Sequence, residues 1–173
     1  MDDNQAKISC GICANEISSF QKKSLYEHPV CSKCYHNFAI RRQIAFLLDV
    51  ILYLFTVVFV LVFIELIGLL LTDNSVITGI ETLLTLIIFL VFYMKDGFVG
   101  YSLGKYIMGV RVINRTSKKP IGIISSFIRN LPLMITCVPI IILFTIYKGA
   151  RIGDKWANTY VIWNKYKDKL PFN

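Results

Sequence analysis

The sequence predicts an all-α multi-pass membrane protein: a helical hairpin, a kinked or re-entrant third apolar segment and small interfacial strands, carrying a small cysteine-rich head. Three observations predict it. Apolar residues make up 55% of the 173-residue chain, with a mean hydropathy of +0.57. All nineteen Lys and Arg fall in residues 1–42, 95–130 and 148–173, leaving none in residues 43–94. Two runs inside and beside that gap, Arg41 to Leu71 and Val76 to Met94, are each long enough to cross a hydrocarbon core of about 30 Å. A soluble chain rarely carries so long a helix that is apolar on every face.

The head comes first. Cys10-Gly11-Ile12-Cys13 and Cys31-Ser32-Lys33-Cys34 form two CxxC pairs. Each pair aims two thiolates at one ion, and the segment between them loops back to complete a tetrahedron. Cys10, Cys13, Cys31 and Cys34 are therefore expected to hold a structural Zn2+, with residues 1–38 as a zinc-ribbon-like head. So small a segment has no apolar core of its own, and metal binding would supply much of its folding energy. The pattern of basic flanks places the head in the reducing cytosol, against a disulfide. His28 and His36 are expected to be bystanders. Residues 1–40 carry four lysines against Asp2, Asp3, Glu16 and Glu27, a near-neutral balance that argues against nucleic acid as a partner. No leader pattern precedes the first span, which is expected to act as its own signal anchor in the cell membrane, N-terminus cytoplasmic.

Polar residues inside a span are the first candidates for function. Arg42 and Asp49 stand seven residues apart, close to two helical turns, and so share a face. The rise between them is about 10 Å, too far for an easy direct bond, so a group from elsewhere in the chain should complete the pairing. Arg41 reads as a plain interfacial anchor. Thr72-Asp73-Asn74-Ser75 closes a tight hairpin. Glu65 and Glu81 then lie at similar depth, either as a hydrogen-bonded pair joining the helices or as an ion site.

Residues 95–130 are basic and rich in glycine. Tyr101-Ser102-Leu103-Gly104-Lys105 has the flavour of a phosphate loop and fails as one, with Val99 and Tyr106 at positions where such a loop needs Gly and Ser or Thr. Val110-Arg111-Val112-Ile113 reads as a strand, expected to pair with Tyr160-Val161-Ile162-Trp163. Leu131 to Tyr147 is only just long enough to span and contains Pro132 and Pro139. Three crossings would put the basic tail outside, against the charge rule, so re-entry with a cytoplasmic tail is favoured. Trp156 and Trp163 suit an interfacial belt.

Arg42 to Asp49, the Ser102-Leu103-Gly104-Lys105 and Gly109-Val110-Arg111-Val112 elements, and Asp154-Lys155-Trp156-Ala157-Asn158-Thr159-Tyr160-Val161 together resemble the RDD family of small multi-pass membrane proteins. The resemblance spans residues 41–163, leaving residues 164–173 as a basic tail, and implies little chemistry beyond a cation/proton antiport role suggested for some members. The expected function is a non-enzymatic membrane module with a cytosolic zinc-binding interaction head. Arg42, Asp49, Arg129 and Asp154 would form a polar network beneath the hairpin, and anionic head groups and a cytosolic protein would be partners. The rival reading is a cation/proton antiporter or small-solute transporter, working as a homo-oligomer through stepped acidic sites, Asp49 in the inner half of the bilayer and Glu65 with Glu81 in the outer half. No nucleophile–base pair, open metal site or nucleotide loop points to an enzyme.

Overall fold

Two short antiparallel ladders form the head: β1 (Ile8–Ser9) with β2 (Glu16–Ile17), and β3 (Lys22–Leu25) with β4 (His28–Cys31). The computed structural model describes residues 8–17, 22–25, 28–68, 74–135 and 151–166. From the end of β4 the chain passes directly into α1 (Ser32–Gly68), a helix of 37 residues. The first span is thus the continuation of a helix whose opening turn already holds Cys34, and it runs unbroken through residues 38–41. Its partner α2 (Asn74–Met94) ends in a 3-10 turn, Lys95–Gly97.

Four short elements gather at one end of the hairpin. They are α3 (Leu103–Met108), β5 (Val110–Asn114), α4 (Ile123–Asn130) with a 3-10 turn over Leu131–Met134, and α5 (Ile152–Trp156) leading into β6 (Thr159–Trp163). β5 and β6 pair antiparallel from Val110↔Trp163 to Asn114↔Thr159, the pairing expected from their β-branched and aromatic runs. The expected crossing or re-entry of the third apolar segment, with Cys137 and Pro139, lies outside the described residues, as do Thr72, Asp73 and most of the tail; Asn74 and Ser75, expected in the hairpin link, already belong to α2.

The distribution of apolar surface is that of a protein solvated by lipid. In the most apolar windows of α1 and of Ile77–Gly97, only 6% of residues are buried. Phe55, Phe59, Val62, Leu83 and Val91 all face outward. Neither helix is the core of a soluble domain, where the same residues would be inside. The short α4 repeats the inversion: Ser126, Arg129 and Asn130 are buried while Ile124 is 78% exposed.

Below the hairpin a single apolar core joins the head to the rest. Ile12, Val30, Cys34 and Phe38 continue into Ala45, Val110, Val112, Val161 and Trp163. Phe38 stacks on Trp163 with ring centroids 6.5 Å apart. Trp163 is therefore a core residue and not part of an interfacial belt, since β6 is buried along its whole length. Trp156 is exposed.

Candidate functional site

The cysteine centre is built by three elements. Cys10 follows β1, Cys13 closes the turn after it, Cys31 ends β4 and Cys34 sits in the first turn of α1. Their four Sγ atoms all lie within 4.8 Å of one another, with Cys13 and Cys31 at 3.8 Å. A tetrahedral zinc with Zn–S of about 2.3 Å sets sulfurs about 3.8 Å apart, so the donor set fits with a slight contraction. Backbone N–H groups support the sulfurs: Cys31 N donates to Cys10 Sγ at 3.3 Å and Cys34 N to Cys31 Sγ at 3.4 Å. Burial pushes the Cys10 thiol up, but the backbone N–H groups of Cys13, Cys31 and Ile12 outweigh it and bring Cys10 down to about 7. Burial, reinforced by the adjacent sulfurs, drives Cys34 the other way. Neither His28 nor His36 belongs to the group.

The second centre lies where the short elements meet the hairpin. Asp49, inside α1, accepts from Ser102 Oγ at 2.6 Å and from the backbone N–H of Gly104 at 2.9 Å. Ser102 is also the N-cap of α3, so the carboxylate sits at a helix end rich in unpaired N–H groups. Lys95 Nζ approaches Asp49 to 3.2 Å and lies 4.0 Å from the centre of the Phe92 ring. This close docking needs a glycine, because a Cβ on Gly104 would stand 2.2 Å from the carbonyl oxygen of Ala45.

Lys105 carries the network onward. Its Nζ is 3.9 Å from Asp49 and in direct contact with Asp96 Oδ1. Arg129 Nη1 donates to Asp96 Oδ2 at 2.6 Å, and Arg129 Nε to Asp154 Oδ1 at 2.5 Å. Asp154 Oδ2 takes Arg42 Nη2 at 3.3 Å and the backbone N–H of Arg151 at 3.1 Å. The path Asp49, Lys105, Asp96, Arg129, Asp154, Arg42 thus begins and ends on α1, visiting α3, the turn after α2, α4 and α5 on the way. The side chains of Asp96, Arg129 and Asp154 are wholly buried. α4 adds neutral bonds to the end of α2: Ser126 Oγ and Asn130 Nδ2 donate to the carbonyl of Tyr93 at 3.2 and 3.0 Å, and Asp96 N donates to Ser126 Oγ at 3.1 Å. That carbonyl would otherwise be orphaned at a helix terminus.

Electrostatics follow from this geometry. Burial alone would raise Asp154, but Arg129, Arg151 and Arg42 outweigh it and hold its carboxyl well below the usual range. Burial lowers Lys105 to about 7, with Asp96 and Asp49 opposing.

Of the four residues expected in the network, Arg42, Arg129 and Asp154 meet directly. Asp49 joins them only through Lys105 and Asp96. Sequence reasoning missed Lys95, Asp96, Ser102, Lys105 and Arg151. Lys95-Asp96 read as the polar end of a span and Lys105 as part of a failed phosphate loop. The usable signal was an acid at the foot of a span, where only buried cations can hold it. Arg41 is more than an anchor: its Nη1 donates to the carbonyl of Met108 at 3.0 Å and its guanidinium lies 4.8 Å from the Trp163 ring centre. Glu65 is exposed on α1 and Glu81 half-buried on α2; among the described residues no hydrogen bond or ion pair joins them.

Comparison with known families matches residues 38–158 to the RDD family, well over half of the chain. No curated protein and no solved structure matches it. The cysteine centre lies ahead of the matched stretch, whereas Arg42, Asp49, Asp96, Lys105, Arg129, Arg151 and Asp154 all lie within it. With its outward-facing apolar hairpin resting on that charge cluster, the chain belongs to the RDD family.

Proposed function

We propose that this protein is a non-enzymatic module of the cell membrane, crossing it more than once with its N-terminus in the cytoplasm. Its membrane domain acts as a rigid platform, and its zinc-held head presents a surface to a cytosolic protein. The observation that carries this reading is the closed ionic path from Asp49 back to Arg42. Its carboxylates are buried and each faces buried basic side chains, an arrangement suited to clamping elements together. The basic stretches flanking the apolar helices favour the cytoplasmic side and its anionic head groups for the clustered end.

The head supports the same reading. Its four cysteines fill a tetrahedron, leaving no open position for catalysis, and Cys34 lies within α1 itself. A structural zinc would bind through Cys10, Cys13, Cys31 and Cys34 and tie both ladders to the membrane helix. Metal analysis of the full-length protein purified in detergent tests this, with one zinc per chain expected. C10S together with C34S should abolish the zinc and loosen the head to proteolysis while the membrane domain stays folded. Full zinc retention in that double variant contradicts the assignment. For the platform, purified protein in liposomes should show no cation-dependent proton flux under an imposed gradient; a robust flux would overturn it.

A further inference from the structure

The short helices at the foot of the hairpin turn their charge inward and their apolar side chains outward. α3 carries one charged side chain, Lys105, and α4 carries one, Arg129; both are buried. On α3 the outward positions are Leu103, Tyr106 and Ile107, spaced i, i+3 and i+4, with Tyr106 72% exposed. On α4 they are Ile124 and Ile128, spaced i and i+4. α5 repeats the pattern with Ile152 and Trp156, beside an exposed Lys155. A short helix bathed in water turns these faces the other way. Exposed basic side chains gather elsewhere, at Arg115, Lys118 and Lys119 in the turn after β5.

The contacts of these helices fix their height. The start of α3 docks on residues 45–49 of α1, where Gly104 N donates to Asp49 at 2.9 Å and packs on the carbonyl of Ala45. That level lies about 5–10 Å along the helix beyond Arg42, inside the apolar run, and around it α1 turns Ile44, Leu47 and Ile51 outward. α4 is tied to the last turn of α2, where the carbonyl of Tyr93 accepts from Ser126 and Asn130. α5 rests on α4, with Gly153 against the carbonyl of Arg129. The apolar faces of α3 and α4 therefore continue, at the same height, the surface by which the hairpin meets lipid. That continuity, with no exposed charge on either face, names lipid as what covers them. A cytosolic protein would have to enter the leaflet to reach them.

We propose that α3, α4 and α5 form a collar lying in the headgroup–acyl boundary of the adjoining leaflet. Their apolar faces sit among the lipid chains, and Trp156 with Lys155 marks the outer rim, the ring in the boundary and the ammonium reaching the head groups. Lipid, and not water, then covers the charge cluster on the sides that these helices shield. The inference rests on the hairpin crossing a bilayer, but on neither the zinc head nor the side that the clustered end faces.

The test reads tryptophan fluorescence of the full-length protein reconstituted in phosphatidylcholine vesicles. The acyl chains are brominated near the head group, brominated near the methyl end, or unbrominated. The chain has two tryptophans, and W156F leaves only the buried Trp163 as background. Wild type then reports α5, and W156F carrying Y106W or I124W reports α3 or α4. All three positions are exposed, so the fold tolerates the changes. F59W in the W156F background, an outward residue in mid-span, reports the hairpin. Interfacial helices bury their apolar face about 5–10 Å deep, so bromine near the head group should lower the emission of Trp156, Y106W and I124W about twofold. Acrylamide in the water should reach them weakly, and F59W should respond mainly to bromine near the methyl end. Quenching at F59W with none at the three collar positions would overturn the collar and leave the crossing hairpin standing. Collar positions open to acrylamide, or shielded from both quenchers by protein, would overturn it equally. No bromine quenching at F59W would overturn the crossing and the collar together.

Discussion

Asp154 accepts from the side chains of Arg42 and Arg129 and from the backbone N–H of Arg151 while its side chain is wholly shielded from solvent. Removing its charge takes one carboxylate away from buried cations, a change that costs about 3–5 kcal/mol in buried pairs. D154N should therefore lower the unfolding free energy in detergent by that order. E65Q, on an exposed residue, should stay within about 0.5 kcal/mol of wild type. Equal effects of the two substitutions would show that burial and pairing do not distinguish them. The pH response follows from the same residues. Asp154 titrates lower in the folded chain than in the unfolded one, so its contribution is present above the ordinary carboxylate range near 3.8 and lost as pH falls below it. Lys105 acts in the opposite region. It is lowered from 10.5 to about 7, so between these values the unfolded chain holds a proton that the folded chain has released. Stability should rise with pH across that window, and K105M should flatten the rise. An identical pH profile for K105M and wild type would contradict the assignment.

At the level of elements, glycines set how closely the short helices approach the hairpin. A Cβ on Gly104 would lie 2.2 Å from the carbonyl oxygen of Ala45, and one on Gly153 would lie 1.8 Å from that of Arg129. Both collisions are with backbone that cannot swing aside, so G104A and G153A should each destabilise by about 3 kcal/mol or more. In α2, Gly79 meets nothing within 4 Å, and G79A should be neutral or stabilising by about 0.5–1 kcal/mol. Melting the three variants side by side checks the contrast. The long apolar elements and the β5–β6 pairing were legible in the sequence, because run length and side-chain branching announce them locally. The share of Asp49 in a network was legible too, since an acid in a span demands a partner. Which partner was not. Asp49 and Arg42 sit on one helix, yet their connection runs through Lys105, Asp96, Arg129 and Asp154, whose meeting depends on four other elements. Lys105 lies in a short helix capped by Ser102, and no local pattern states that this cap faces α1. The start of α1 at Ser32 was hidden for a similar reason: the sequence turns from polar to apolar only after Arg42, well inside a helix that is already continuous from Ser32.

Across the whole molecule, the same helix serves two centres. Its first turn supplies Cys34 to the thiol group, and one to two turns further on Phe38, Arg41 and Arg42 engage Trp163, Met108 and Asp154. Metal at the head should consequently stabilise more than the head. Chelation of the full-length protein is expected to lower protection from hydrogen exchange over β1–β4 and through Phe38, leaving the mid-span of α1 unchanged; uniform loss along the helix would contradict this. A charge cluster that clamps α1 from two sides must couple its members energetically, and a double-mutant cycle between Arg42 and Asp154 tests this most directly. Unfolding free energies of wild type, R42M, D154N and the double variant would be measured in mixed micelles. The clamp predicts a coupling of about 1.5 kcal/mol or more between the two substitutions. Strict additivity, with the double variant losing the sum of the single losses, would contradict it.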